Sequence, residues 1–342
     1  MVELIKHAEP IKYGFNKVVV YGHDEVIKEI PPKVGLVKKT PLLFGYGYFG
    51  RLLWKLVVRK STQNGIWFVP GAGSAPGRYV TMCQNLLSID VSEQARYFFS
   101  CTWVRLVVLG FFHQIAFRKA AGVIFLNQFC FEILPKVTRQ KITKTAIIPH
   151  GVSEIFTALP RTEKDIKTFK LIYVSTIDLY KHQWKIAEAV DELLKEGYAI
   201  RIDFIGHANP RAMVKLNPFL SESIRYLGPV SYRELPARYA ASDAFIFGST
   251  CETFGMVLLE AMACGLPILS SNRSSMPETL GDHALYFDPL DVVTIKQAIL
   301  KLYKNYSLYK SLQEDGIEFA KQFAWEKTSY DTFKFIQECC KC

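Results

Sequence analysis

A chain of 342 residues, 49% hydrophobic and 13% aromatic, has enough core-forming side chains for two domains. It lacks the Gly/Ser/Gln-rich tracts and charge blocks of a disordered protein. The net charge of +10 sits in one half: Lys and Arg outnumber Asp and Glu 20 to 8 over residues 1–150, a net of +12, and trail 22 to 24 over the rest, a net of −2.

Read in chain order, short apolar runs alternate with helical patterns. Candidate strands are 17–21, 66–70, 79–83, 123–126 and 145–148, and after Asp165 come 171–175, 200–205, 244–247, 267–270 and 285–287. Most are β-branched and nearly continuous, as parallel strands covered on both faces are. Helical periodicity falls at 181–196, 232–241, 254–264 and 292–303, and the closing helices, 308–323 and 325–340, have no strand to follow. Strand–helix alternation on both sides of a polar break at 159–170 predicts an α/β protein of two Rossmann-like, doubly wound domains facing a cleft. The expected division is 1–158, 165–322 and a terminal segment, 323–342, packing back toward the first domain. Ligands of open α/β sheets gather at the carboxyl ends of strands, so motifs that follow strands carry the functional weight.

Several classes drop out. The eight cysteines form no pair of CxxC motifs and read as reduced thiols of a cytosolic protein. The tail Cys339-Cys340-Lys341-Cys342 has no second Cys/His cluster at ligand spacing and fits a prenylation box poorly, so no metal is expected. Residues 1–10 are polar and mixed in charge and do not read as a signal peptide. The most apolar stretch, 97–127, is broken by Arg105, His113, Arg118 and Lys119, leaving too short a run to span a bilayer. The basic half suits membrane headgroups or phosphates, or is simply a soluble basic surface; no motif that reads RNA or DNA accompanies it.

The stretch "STCETFGMVLLEAMACGLP", residues 249–267, places a carboxylate, Glu260, in an otherwise apolar helix and another, Glu252, in the loop before it. A buried carboxylate is costly without a partner, so these residues are solvated or they hold something. The loop and helix start follow a strand, where free amides and the helix dipole favour phosphate, and Gly255 lets a ligand approach the backbone. Eight residues at 1.5 Å each separate the carboxylates by about 12 Å if helical throughout. That span would let one accept hydrogen bonds from a sugar and the other from a ribose, with the amides on the phosphates between. The interval alone proves nothing, since Glu188/Glu196 and Glu318/Glu326 repeat it at positions read as solvated. Glu260 differs in its setting, with Met256, Val257, Leu258 and Leu259 before it and Ala261, Met262 and Ala263 after.

The string "ETFGMVLLEAMACGLPILSSN" followed by "PETLGDHALYFDP" resembles the signature of family 4 glycosyltransferases, which have the GT-B fold. The likeness extends through "IRYLGPVSYRELPARYAASDAFIFGS" and "IIPHGV" and is strong over about residues 171–289. It implies a retaining transferase that moves a sugar from a nucleotide donor to an acceptor, without an essential metal. It sets Glu252 at the donor sugar, the Phe254, Gly255 and Met256 backbone near sugar and phosphate, and Glu260 at the ribose. In "LIYVSTIDLYKHQWKIAEAV", Lys181 matches the family's diphosphate lysine; on its own it would read as a solvated lysine or as a cation able to pair with diphosphate. Where the family often has Gly-Arg, this chain has Ser175-Thr176, so one guanidinium clamp is missing and Thr176 offers a hydrogen bond without charge.

The first half departs further. In "VTMCQNLLSID", Gln84-Asn85 stands where the family often carries His-Asp; an amide can hydrogen-bond a sugar but is no base near neutral pH. A front-face retaining mechanism needs none, because the leaving phosphate takes the acceptor proton. Gln84 is a sugar contact or a loop cap, and His150 of "IIPHGV" a ligand contact or a structural histidine. "MVELIKHAEP" reads as the end of the family's first helix, with the usual strand and glycine loop absent; the expectation is a truncated reading frame, weakly active as written. The segments 42–60 and 97–119, rich in aromatics, aliphatics and Arg/Lys, are core-facing helices or a peripheral contact with an anionic membrane.

The reading is a cytoplasmic retaining hexosyltransferase without cofactor or nucleic-acid partner, positioned free or at the inner face of the membrane. It would serve cell-surface polysaccharide or glycolipid synthesis, taking a nucleotide-sugar donor and a glycan or lipid-linked acceptor. Its rivals are a non-catalytic sugar-nucleotide-binding remnant and a GT-B sugar-nucleotide epimerase. No GxGxxG follows a candidate strand, against a nicotinamide oxidoreductase.

Overall fold

The computed structural model describes residues 1–42, 65–138, 144–158 and 168–340. In chain order the strands are β1 (Val18–Tyr21), β2 (Leu36–Lys39), β3 (Trp67–Val69), β4 (Tyr79–Met82), β5 (Gly122–Phe125), β6 (Thr145–Ile147), β7 (Phe169–Val174), β8 (Ile200–Ile205), β9 (Ile224–Tyr226), β10 (Ala244–Phe247), β11 (Ile268–Ser271) and β12 (Ala284–Phe287). The helices are α1 (Val2–Lys6), α2 (Asp24–Lys28), α3 (Val91–Gln94), α4 (Cys101–Lys119), α5 (Gln128–Thr138), α6 (Gln183–Lys195), α7 (Pro210–Leu216), α8 (Leu235–Ala240), α9 (Met256–Ala263), α10 (Met276–Leu280), α11 (Val292–Lys304), α12 (Tyr306–Ala320) and α13 (Trp325–Cys340).

Two compact units share the chain. The first comprises Met1–Ile89, Arg105–Gly151 and Ala324–Cys342, the second Asp90–Val104 and Val152–Phe323. The chain passes from the first unit to the second after Gly151; the polar break read at 159–170 lies mostly outside the described residues. Hydrogen bonds explain the passage: the Val152 amide donates to the Phe323 carbonyl at 2.8 Å, inside the second unit. Residues 90–104 join that unit too, held where Tyr97 Oη donates to Asp178 Oδ1 at 2.7 Å and the Arg211 guanidinium reaches the Phe98 and Phe99 carbonyls.

In the first unit, β3-β4-β5-β6 form a parallel sheet and β1-β2 a separate parallel pair. The middle strands β4 and β5 are wholly buried. Among the described residues β1 pairs only with β2 and β3 only with β4. A cavity of about 670 Å³, lined by Val18, Val20, Trp67, Phe68, Ile30 and Ile336 among others, adjoins both strands. Residues 2–6 form helix α1. The last helix, α13, packs in this unit: Tyr13 stacks on Phe333 with ring centroids 5.3 Å apart. A Cβ at Gly122 would come within 2.6 Å of Cys339 Sγ and 2.9 Å of the Phe335 ring, so the close approach of α13 to β5 there requires a glycine.

The second unit is a six-stranded parallel sheet in the order β12-β11-β10-β7-β8-β9. The chain enters in the middle at β7, runs outward through β8 and β9, then returns to the other side of β7 with β10. This reversal makes the pair β7/β10 a topological switch point. All four residues of β10 and Leu171, Ile172, Tyr173 and Val174 of β7 are buried. α6 covers the sheet with Ile186, Ala187, Val190 and Leu193, spaced at helical period. The strands β2 and β9, absent from the sequence reading, are edge strands whose residues are mostly half-buried: LVKK and IRY are too short and too charged to show an apolar run.

Candidate active site

The switch point sets two loops side by side. Leaving β7, the chain turns through Tyr180 and Lys181 into α6, with His182 at the N-cap in a left-handed conformation (φ 51°). Leaving β10, it runs through Gly248–Thr253 to Gly255, the left-handed N-cap of α9 (φ 77°). The Thr250 amide donates to the Tyr180 carbonyl at 2.9 Å and fixes one loop on the other.

Lys181 Nζ and Glu252 Oε1 form an ion pair there, across 71 residues of sequence. Lys181 is buried, its ammonium lying 4.8 Å from the Phe247 ring centroid and 4.9 Å from that of Tyr180. The same Glu252 oxygen accepts from Ser249 Oγ at 2.7 Å. The Glu252 backbone is braced from the loop after β11: Ser274 Oγ accepts from its amide at 3.0 Å, and Ser274 and Ser275 hydroxyls donate to its carbonyl. Loops after three neighbouring strands thus hold Glu252, those after β7 and β10 by its carboxylate and that after β11 by its backbone. Ser249, Ser274 and Ser275 escaped the sequence reading because serines after strands carry no distinguishing pattern.

The N-cap of α9 is Gly255, which offers no side-chain cap. The Leu258 amide donates to the Gly255 carbonyl at 2.9 Å, and the start of the helix carries the partial positive charge that suits an anion. Phe254 is 3% exposed and packs edge-on to Phe323, so only its backbone is offered to a ligand. Gly255 has no room for more: a Cβ would lie 2.8 Å from Leu258 Cδ1 and 3.0 Å from Met276 Cε. Met256, half-buried, opens the helix. Thr176 is exposed in the loop after β7, and Gln183 Nε2 donates to its carbonyl at 3.0 Å.

Glu260, one turn into α9, is 3% exposed. Burial pushes its carboxyl up to about 7, although a hydrogen bond from Tyr232 Oη at 2.9 Å opposes the rise. At neutral pH this group stands near half-protonation, a setting from which a ligand hydroxyl could draw the ionised form.

In the first unit, Gln84 and His150 come together, Gln84 Nε2 lying 3.2 Å from His150 Nε2. His150 packs on Trp325, with centroids 5.4 Å apart, and burial, aided by the positive N-terminus, lowers it to about 4. It is therefore neutral at physiological pH and accepts the Gln84 amide hydrogen. Among the described residues no group of three or more His, Cys, Asp and Glu is arranged to hold a metal ion.

Residues 156–319 match the family model described as Glycosyl transferases group 1. Over the whole chain the fold is that of GT-B glycosyltransferase structures. It matches sucrose-phosphate synthase from Thermosynechococcus elongatus with a TM-score of 0.71 at 17% identity, covering 96% of this chain and 90% of that one. It matches WaaG, a glycosyltransferase involved in lipopolysaccharide biosynthesis, with a TM-score of 0.70 at 14% identity, covering 98% and 95%. Among curated proteins the chain is 43% identical over 109 residues to O-antigen chain mannosyltransferase B of Escherichia coli, which is 32% of this chain and 29% of the relative. It is 32% identical over 117 residues to an uncharacterized glycosyltransferase of Methanocaldococcus jannaschii, 34% of this chain and 33% of the relative. The chain thus matches about a third, or less, of the length of these relatives.

Proposed function

We propose that this chain is a retaining hexosyltransferase of family 4, moving a sugar from a nucleotide-sugar donor to a glycan or lipid-linked acceptor in cell-surface polysaccharide or glycolipid synthesis. The observation that carries the reading is the Lys181–Glu252 ion pair in the loops that lead into α6 and into the glycine-capped N-terminus of α9. A donor diphosphate would replace Glu252 as the partner of Lys181, with the amides of α9 beside it. Glu252, released, would accept hydrogen bonds from the sugar hydroxyls while still held by Ser249, Ser274 and Ser275. Glu260 would take the ribose. In transfer, the bond from sugar C1 to the phosphate oxygen breaks, a bond from C1 to the acceptor oxygen forms on the same face, and the acceptor proton passes to the departing phosphate. Lys181 and the helix amides would stabilise charge as it builds on that phosphate, the kind of electrostatic contribution that dominates many enzymes.

The O-antigen mannosyltransferase relative makes mannose-charged nucleotides the first donors to test. A thermal-shift screen over nucleotides and nucleotide sugars would identify the donor. NMR of the product formed on candidate acceptors would read the anomeric configuration, and an inverted product would sink the retaining mechanism. A second reading, a sugar-nucleotide-binding protein without turnover, is favoured by Gln84 and by the separation of β1 from β3. It predicts donor-dependent stabilisation with neither transfer nor hydrolysis.

A further inference from the structure

Helix α4 is apolar on two sides. Leu106, Gly110, His113, Ala116 and Phe117 are buried, and His113 Nδ1 lies 2.7 Å from Ser88 Oγ. The opposite side carries Val104, Val107, Val108, Phe111 and Phe112, spaced i, i+3, i+4, i+7, i+8 and all exposed, Phe111 by 62% and Phe112 by 51%. A helix apolar all round is ordinarily enclosed by protein or lipid. Exposed Arg105 lies at the edge of this stripe and exposed Arg118 and Lys119 at its end. The helix contains no Asp or Glu. None of the described helices is long and apolar enough to cross a membrane.

We propose that this face of α4 rests on an anionic lipid bilayer, its valines and phenylalanines in the headgroup boundary and its three cations on lipid phosphates. Charge selects this occupant. The stripe lies in the half of the sequence with a net charge of +12, and cations beside an apolar strip match an anionic interface. A second copy fits poorly: a two-fold contact would set Arg105, Arg118 and Lys119 against their own equivalents with no acidic residue on the helix to receive them. The membrane seat would bring a lipid-linked acceptor to the protein, but its test requires no transferase activity and so stands apart from that reading.

The test is sedimentation of the full chain with phosphatidylcholine vesicles made with and without phosphatidylglycerol, at low and high salt. Binding should favour the anionic vesicles by about tenfold or more and fall with salt. Phe111→Ser with Phe112→Ser should cut it by about tenfold or more, and Arg105→Gln with Arg118→Gln and Lys119→Gln should erase the lipid preference. Phe111→Trp guards against misfolding of the first variant: its emission should move to the blue on anionic vesicles and be quenched by brominated lipid. Unshifted emission, or equal binding to neutral and anionic vesicles, overturns the proposal. So does a dimer in analytical ultracentrifugation that the two serine substitutions dissociate, which would assign the face to a second copy.

Discussion

Tyr232 Oη donates to Glu260 Oε1 at 2.9 Å, and this contact tunes the carboxyl that burial raises to about 7. The folded group binds its proton more tightly than the unfolded one, whose ordinary value is 4.5. Its stabilising contribution is therefore complete below about 4.5 and is lost as pH rises through about 7, a loss of at most about 3 kcal/mol. Glu260→Gln keeps the shape without the charge. Urea unfolding should show the variant gaining on the parent between pH 5 and pH 8, reaching about 1–3 kcal/mol. A difference that does not widen with pH would contradict the buried carboxyl.

The same contact predicts a pH profile for ligand binding. If a ribose hydroxyl donates to ionised Glu260, nucleotide affinity should rise from pH 6 to pH 8. Tyr232→Phe removes the hydrogen bond that lowers the group, so the rise should move to higher pH. Calorimetric titrations across that range with both proteins would decide; superimposable profiles would separate Glu260 from the nucleotide.

The Lys181–Glu252 pair yields a double-mutant cycle. Removing one member leaves the other buried and uncompensated, at a cost of about 2–4 kcal/mol. Lys181→Met with Glu252→Gln should be less destabilised than the sum of the single changes by about 1 kcal/mol or more. Additive denaturant midpoints would mean that the two residues do not share a pair in solution.

Function should split differently. Glu260→Ala should weaken nucleotide binding, whereas Glu252→Ala should lower turnover by about a hundredfold or more without weakening nucleotide binding. Equal and negligible effects in kcat and in nucleotide Kd would remove the proposed assignment.

Gly255→Ala should affect both stability and binding. A left-handed N-cap and a Cβ within 3.0 Å of Leu258 and Met276 should together cost about 1–3 kcal/mol and displace the α9 amides. Thermal melts and nucleotide titration should both move; a variant matching the parent in both would show that the loop tolerates a side chain.

Much of the second unit was legible from sequence because its strands are buried on both faces and its helices keep a strong period. α6, α9 and β10 lie within one or two residues of their sequence bounds, Gly265 stops α9 from a left-handed conformation, and α13 begins at Trp325 as read. Edge strands β2 and β9 were hidden by partial exposure. The site was legible as a list of residues but not as a set of contacts. The motif put Glu252 in a loop and Glu260 in the helix that follows it; nothing local showed that Lys181 would lie against Glu252, a consequence of β7 and β10 being neighbours, or that Tyr232 would reach Glu260. Phe254 shows the reverse case, a motif residue whose side chain turned out to belong to the core.

The return of α13 to the first unit bears on biosynthesis. Strands β3–β6 leave the ribosome early, yet the helix that covers Gly122 emerges more than 170 residues after Gly151. At about 5–20 residues per second, that unit waits roughly 10–35 s for its last piece, while the second unit is synthesised and free to fold. During that interval β5 and its neighbours present bare apolar surface, and chaperone capture of nascent chains should be strongest over this window.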